Sequence, residues 1–197
     1  TAPKVDPQHL QHSHAAHGHG AEIAQETWSP EDGLERALFT LAANLLTAIA
    51  FGLLLAAGFT LYGGSISIAQ GLLWGGASFL SFSFLPGLGL PAELPASAAG
   101  DLLARQAWWL GTAAASCAGL ACIAFGKSNI WRAGGVLFLV IPHAIVAPHP
   151  EAGAVGPSPP ELAAHFVMVS IFASAVMWGS LGAGAAYVYR RISENQE

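Results

Sequence analysis

Apolar residues in this chain do not recur at the three-to-four spacing of a half-buried helix. They come in long unbroken runs separated by short polar or proline-rich stretches, after a polar opening over residues 1–30. Crossing a bilayer takes roughly 20 apolar residues at 1.5 Å each, and five runs approach that length: 37–62, 66–85, 105–125, 129–147 and 161–189. Strand alternation is missing, so the pattern predicts an all-α polytopic membrane helix bundle with five spans in this chain. Trp28, Ser29 and Pro30 lead into the first run and read as a helix start, with Ser29 as cap and Pro30 in the first turn. The second run ends at Pro86 and carries Gly71 and Gly75 in a GxxxG spacing that can seat a neighbouring helix. Trp108 and Trp109 stand where aromatic rings favour the headgroup level.

Composition strengthens this picture. Apolar residues make up 53% of the chain and charged residues 10%, with mean hydropathy +0.51; a soluble domain carries about 25% charged residues. The net charge of −5 argues against nucleic acid as a partner. Cys117 and Cys122 lie five apart in one apolar run and read as packing residues, neither a CxxC pair nor a disulfide. The chain opens at Thr1 with no initiator methionine and no apolar segment ahead of its histidines, so either a signal-like segment or first transmembrane helix is expected to have been removed, or the sequence is a fragment.

Basic residues set the expected orientation. Arg190 and Arg191 follow the last span and favour a cytoplasmic C-terminus, which places Lys127 and Arg132 on the same side. Five spans then put the N-terminal arm outside. The three regions are an extracytoplasmic mobile arm (1–30), a transmembrane helical domain (31–191) and a cytoplasmic tail (192–197).

With this topology the histidines gather on the outer side. Five stand in the arm: His9, His12, His14, His17 and His19. Neutral imidazole ligates transition metals, and two His-x-His units on a glycine-loosened chain can close around one ion. His143 follows Pro142 inside the fourth span. A proline there leaves the carbonyl four residues earlier, that of Phe138, without its usual donor. Ionisable groups at such depth usually face a bundle interior or a pathway. His149 and His165 are further candidate ligands, and Glu93 and Asp101 suit hard or borderline cations. Asn44 is expected to hydrogen-bond another helix, and the pairs Glu35 with Arg36 and Asp101 with Arg105 read as ion pairs fixing helix ends. Gly126, Lys127 and Ser128 resemble the end of a phosphate-binding loop, yet Ala121 stands where its first glycine belongs, so no nucleotide is expected. Neither GxSxG nor HExxH occurs, and no enzymatic activity is expected.

Five phrases carry a family resemblance: WSPEDGLERALFTLAANLLT, GLLWGGASF, LPGLGLPAELPASAAGDLLARQAWWLGT, IPHAIVAPHP and PPELAAHFV, in order across residues 22–191. The chain resembles the CbtA family, described as probable cobalt transporter subunits. The resemblance implies a multipass inner-membrane protein with six spans when complete, and a small His-rich membrane partner of the CbtB type. It also implies a link to cobalt supply for cobalamin synthesis. Glu93, Asp101, Arg105, Gln106, Pro142 and His143 are the distinctive polar positions within the shared phrases. The expected cargo is therefore Co²⁺, with Ni²⁺, Zn²⁺ and Cu²⁺ as alternatives that histidines do not distinguish. The expected function is uptake of that ion through the bundle. The alternative is a non-transporting metal-binding or assembly subunit of a membrane complex.

Overall fold

A computed structural model describes residues 30–94, 97–98, 100–150 and 158–195, and among them every regular element is helical. The helices are α1 (Leu34–Tyr62), α2 (Ile68–Phe79), α3 (Leu85–Gly89), α4 (Leu102–Phe125), α5 (Asn129–Ala144) and α6 (Pro160–Glu194). A π-helical turn, Leu80–Phe84, joins α2 to α3, so these form one apolar rod from Ile68 to Gly89. Among the described residues, four helical segments are long and apolar enough to cross a membrane: α1, the α2–α3 rod, α4 and α6. The large side chains they expose, such as Leu45, Leu53, Leu73, Leu103 and Phe172, suit lipid contact.

The chain divides into two compact units, Thr1–Leu41 and Ala42–Glu197. In the first, α1 starts later than the sequence predicts. Gly33 takes φ 102°, a left-handed conformation that breaks helical continuity after Pro30, so Pro30 precedes the helix; Ser29 lies outside the described residues. Arg36 pairs at 2.6 Å with Asp32, in the turn ahead of α1, rather than with Glu35, because adjacent residues on a helix do not face each other. Glu35 instead accepts from the Glu31 backbone N–H.

The second unit is built on two antiparallel helix pairs. α1 closes at Gly63, whose positive φ of 71° accompanies a bond from its N–H to the Phe59 carbonyl. Ser67 then opens α2 with a reciprocal capping box to Gln70. α2 packs on α6 through the GxxxG pair: a Cβ on Gly71 would collide with Ala186 and the Gly182 carbonyl, and one on Gly75 with the Trp178 carbonyl. Leu55, Phe59, Ile66 and Ala186 form the buried cluster beside this seam, covered by Trp74, Leu181 and Tyr189. Farther along the rod, Phe51, Phe82 and Trp178 stack within 5.6 Å of one another by ring centroid. The Trp178 indole donates to Ser83 Oγ at 2.9 Å.

Pro86 does not end the second span. A proline ring clashes with the carbonyl four residues earlier and removes one donor. Widening the preceding turn to i→i+5 bonding, seen as Leu85 N–H to the Leu80 carbonyl, lets helix continue past it to Gly89.

α4 and α5 make the other pair. Asp101 caps α4 by accepting from the Ala104 N–H at 2.8 Å. Gly126 ends α4, and the chain reverses into α5. Gly119 and Gly135 meet backbone to backbone, since a Cβ on either would lie 2.6–2.7 Å from the other's carbonyl oxygen. α5 has only 16 residues, about 24 Å against a hydrocarbon core of about 30 Å. It stops at Ala144, three residues short of the expected end, because Ile145 turns extended. The return along α4 is completed by that extended segment: the Trp108 indole donates to the Ile145 carbonyl at 3.2 Å, and Gly100 lies against the Pro148 and His149 carbonyls. Irregular backbone at such a level requires protein partners for its polar groups, and Trp108 supplies one.

Candidate metal centre

The helix registers define two ends. Tyr62 and Phe125 pack at 6.2 Å between ring centroids, and Tyr189 meets Phe59, so the ends of α1, α4 and α6 coincide. Lys127, Arg132, Arg190 and Arg191 belong to this basic end. At the opposite end stand Gly89 against Trp108, the start of α4, the end of α5 and, by the antiparallel register of α6 on α2, the first turns of α6.

This second end collects the described histidines, His143, His149 and His165, together with Glu93 and Asp101. His143 sits in the last turn of α5, with its ring 6.1 Å from the Trp108 ring in an edge-on arrangement. It is exposed on the flank of α5 rather than enclosed in the bundle interior, while Pro142 beside it is buried against α4. His149 is also exposed, and its Nδ1 hydrogen-bonds the Ala147 carbonyl. That bond makes Nδ1 the donor and leaves the Nε2 lone pair available to a cation. His165 is exposed in the second turn of α6.

The two acids already have partners. Glu93 Oε2 is bound by Arg105 Nη2 at 2.8 Å, so Arg105 reaches across the loop rather than back to Asp101. Asp101 is engaged as the α4 cap. Among the described residues no three His, Cys, Asp or Glu side chains converge as a metal site. His9, His12, His14, His17 and His19 lie outside the described residues. Asn44 is exposed on α1. Cys117 is exposed and lines an apolar groove of about 510 Å³ between α2 and α4, so only the half-covered Cys122, which faces Gly135, packs as expected.

Thr112 was not legible as a site residue. Its hydroxyl is buried, at 1% exposure, and has no hydrogen-bond partner. The available signal was a hydroxyl in a span whose partner helix carries a proline in its last turn.

Exposed apolar helices of this length, with polar groups sorted to the two ends, define a polytopic helical membrane protein. Within that class the sequence is specific: the probable cobalt transporter subunit (CbtA) family matches residues 2–190, and the chain belongs to that family. No curated protein and no solved structure matches it.

Proposed function

We propose that this chain is an inner-membrane subunit of a Co²⁺ uptake system that takes the ion from the outer side. The observation carrying this reading is the segregation of His143, His149 and His165 to the end of the bundle opposite Lys127, Arg132, Arg190 and Arg191. Basic residues favour the cytoplasmic side, so the histidine end faces outward, as does the arm. The arm histidines capture the ion, and His143 receives it with help from His149 or His165. Sites with two ligands release an ion that a closed four-ligand cage would trap, and the scattered exposed imidazoles suit transient contact. No nucleotide takes part.

The exposure of His143 supports a second reading. An imidazole on the outer flank of α5 is open to ligands from another chain, such as a small His-rich CbtB-type subunit. In that case this chain concentrates metal or assembles a partner, and a different protein conducts.

Cobalt accumulation in cells lacking their other cobalt importers separates the readings. The full-length protein is compared with His143→Ala and with a variant lacking the five arm histidines, each with and without the partner. Uptake lost in His143→Ala but only weakened without the arm supports the permeation route. Uptake unchanged by the protein's presence, with cobalt still bound to it, selects the accessory role.

A further inference from the structure

Every hydrogen-bonded threonine hydroxyl within these helices donates to the carbonyl four residues back: Thr40 to Arg36, Thr47 to Ala43 and Thr60 to Ala56, all at 2.8–2.9 Å. Ser116 does the same toward Thr112 at 2.7 Å. Thr112 departs from this habit although it is more deeply buried than those threonines, and its Oγ1 bonds nothing. Leaving a buried hydroxyl unpaired costs about 1–3 kcal/mol, and more where neighbouring lipid offers no water.

Register shows what lies opposite. Trp108 meets His143 and Ile145 near one end of the α4–α5 seam, and Gly119 meets Gly135 farther in. Thr112 shares the α4 face of Trp108 and Gly119 and therefore stands level with Leu139 and Pro142. Pro142 has no N–H, so the Phe138 carbonyl lacks its helical donor at this same level. Two residues later α5 ends, presenting the negative pole of its dipole, about −0.5 charge, with its last carbonyls, of which that of Pro142 accepts from the Ile145 N–H. An unpaired hydroxyl, a freed carbonyl and a helix C-terminus thus share one depth of this seam. Farther along, the Gly119–Gly135 backbone contact closes the seam.

We propose that Thr112 Oγ1, the Phe138 carbonyl and the C-terminal carbonyls of α5 bind a small monovalent cation of the Na⁺ type. The ligands are neutral oxygens, which suit hard cations. The charge count decides against a divalent ion: none of these ligands is a carboxylate, with Asp101 engaged as the α4 cap and Glu93 by Arg105. Desolvation cost rises with the square of the charge, about fourfold from one to two. Broken helix ends with unwound carbonyls are the arrangement by which membrane carriers hold coupling ions. Binding at this site is independent of the cobalt reading, while its role as the driving force for uptake rests on that reading.

The test is thermal unfolding of the purified full-length protein in detergent, in NaCl against choline chloride at matched ionic strength. Wild type is expected to gain about 3 °C in Na⁺. Thr112→Val, which keeps the shape and removes the hydroxyl, loses that gain, and Thr112→Ser retains it. If Thr112→Val yields no folded protein, Pro142→Ala serves, since it returns a donor to the Phe138 carbonyl and is likewise expected to abolish the Na⁺ shift. No Na⁺-specific shift in wild type, or an undiminished shift in Thr112→Val or Pro142→Ala, overturns the proposal. Because cobalt is absent from this assay, its failure leaves the cobalt reading untouched, and loss of cobalt uptake in His143→Ala leaves this one untouched.

Discussion

Both helix pairs of the larger unit are held by glycines brought backbone to backbone, yet they end very differently. Along α2–α6 the seam continues from Gly71 and Gly75 into the Phe51, Phe82 and Trp178 stack, where the polar indole N–H finds Ser83. Along α4–α5 the glycine contact at Gly119 and Gly135 gives way, toward the histidine end, to Pro142, an unpaired Thr112 hydroxyl and an exposed imidazole. In a bilayer close packing and satisfied polar groups supply stability, and polar groups left over mark places where something else binds. One pair is the scaffold, and the other holds the residues proposed to bind ions.

The contrast breaks first, and hardest, at the scaffold. Gly75→Leu places a side chain where the Trp178 carbonyl and Gly182 already lie. Helical backbone on both sides cannot give way, so a loss of about 3 kcal/mol is expected, seen as a collapse of the monodisperse fraction in detergent. The same substitution at Gly76, beside which nothing stands within 4 Å, is expected to leave that fraction intact. Trp178→Phe keeps most of the ring packing but removes the donor to Ser83, for an expected loss of about 1–2 kcal/mol in the same assay.

On the other pair the order of effects reverses. His143→Ala removes an exposed side chain whose described contact is the edge of Trp108, so unfolding is expected to be nearly unchanged. Cobalt uptake is expected to fall about tenfold, equivalent to about 1.4 kcal/mol. A large stability loss with intact uptake would place His143 among the packing residues and erase the distinction between the pairs.

Much of this division was legible in the sequence, for physical reasons that also explain what was not. Run length and the GxxxG spacing identified the helices and the seat at Gly71 and Gly75, because membrane helices are nearly self-contained in their backbone bonding. Their partners, Gly182 and Ala186 in α6, carry the same small-residue signal and went unread. Pro86 read as a terminus, since local chemistry predicts a break; only the widened turn over Leu80–Phe84 shows how helix survives it. Arg105 looked paired with Asp101 by helical spacing, but Asp101 at the cap position finds a closer backbone donor, freeing Arg105 for Glu93 across the loop. At the candidate site the sequence placed His143, His149 and His165 on one side, whereas the orientation of each ring and the orphaned hydroxyl of Thr112 depend on side-chain packing that periodicity does not encode.

Only a small effect on stability is expected from the pair that looks most ionic. Arg105 and Glu93 keep 21% and 32% of their side-chain surface exposed, and their contact uses a single nitrogen and a single oxygen. Water and salt screen such a pair, so Arg105→Ala should cost only about 0.5 kcal/mol. Its consequence for metal should be larger and of opposite sign. Removing the guanidinium releases a carboxylate at the end of the bundle that holds His143 and His149, and a free carboxylate adds both charge and an oxygen ligand for a divalent ion. Cobalt affinity of the purified protein, measured by calorimetry, is therefore expected to rise in Arg105→Ala and to return to the wild-type value in Arg105→Ala with Glu93→Gln. An unchanged affinity in the single variant would mean that Glu93 stands apart from the metal, leaving the histidines as the ligands of this end.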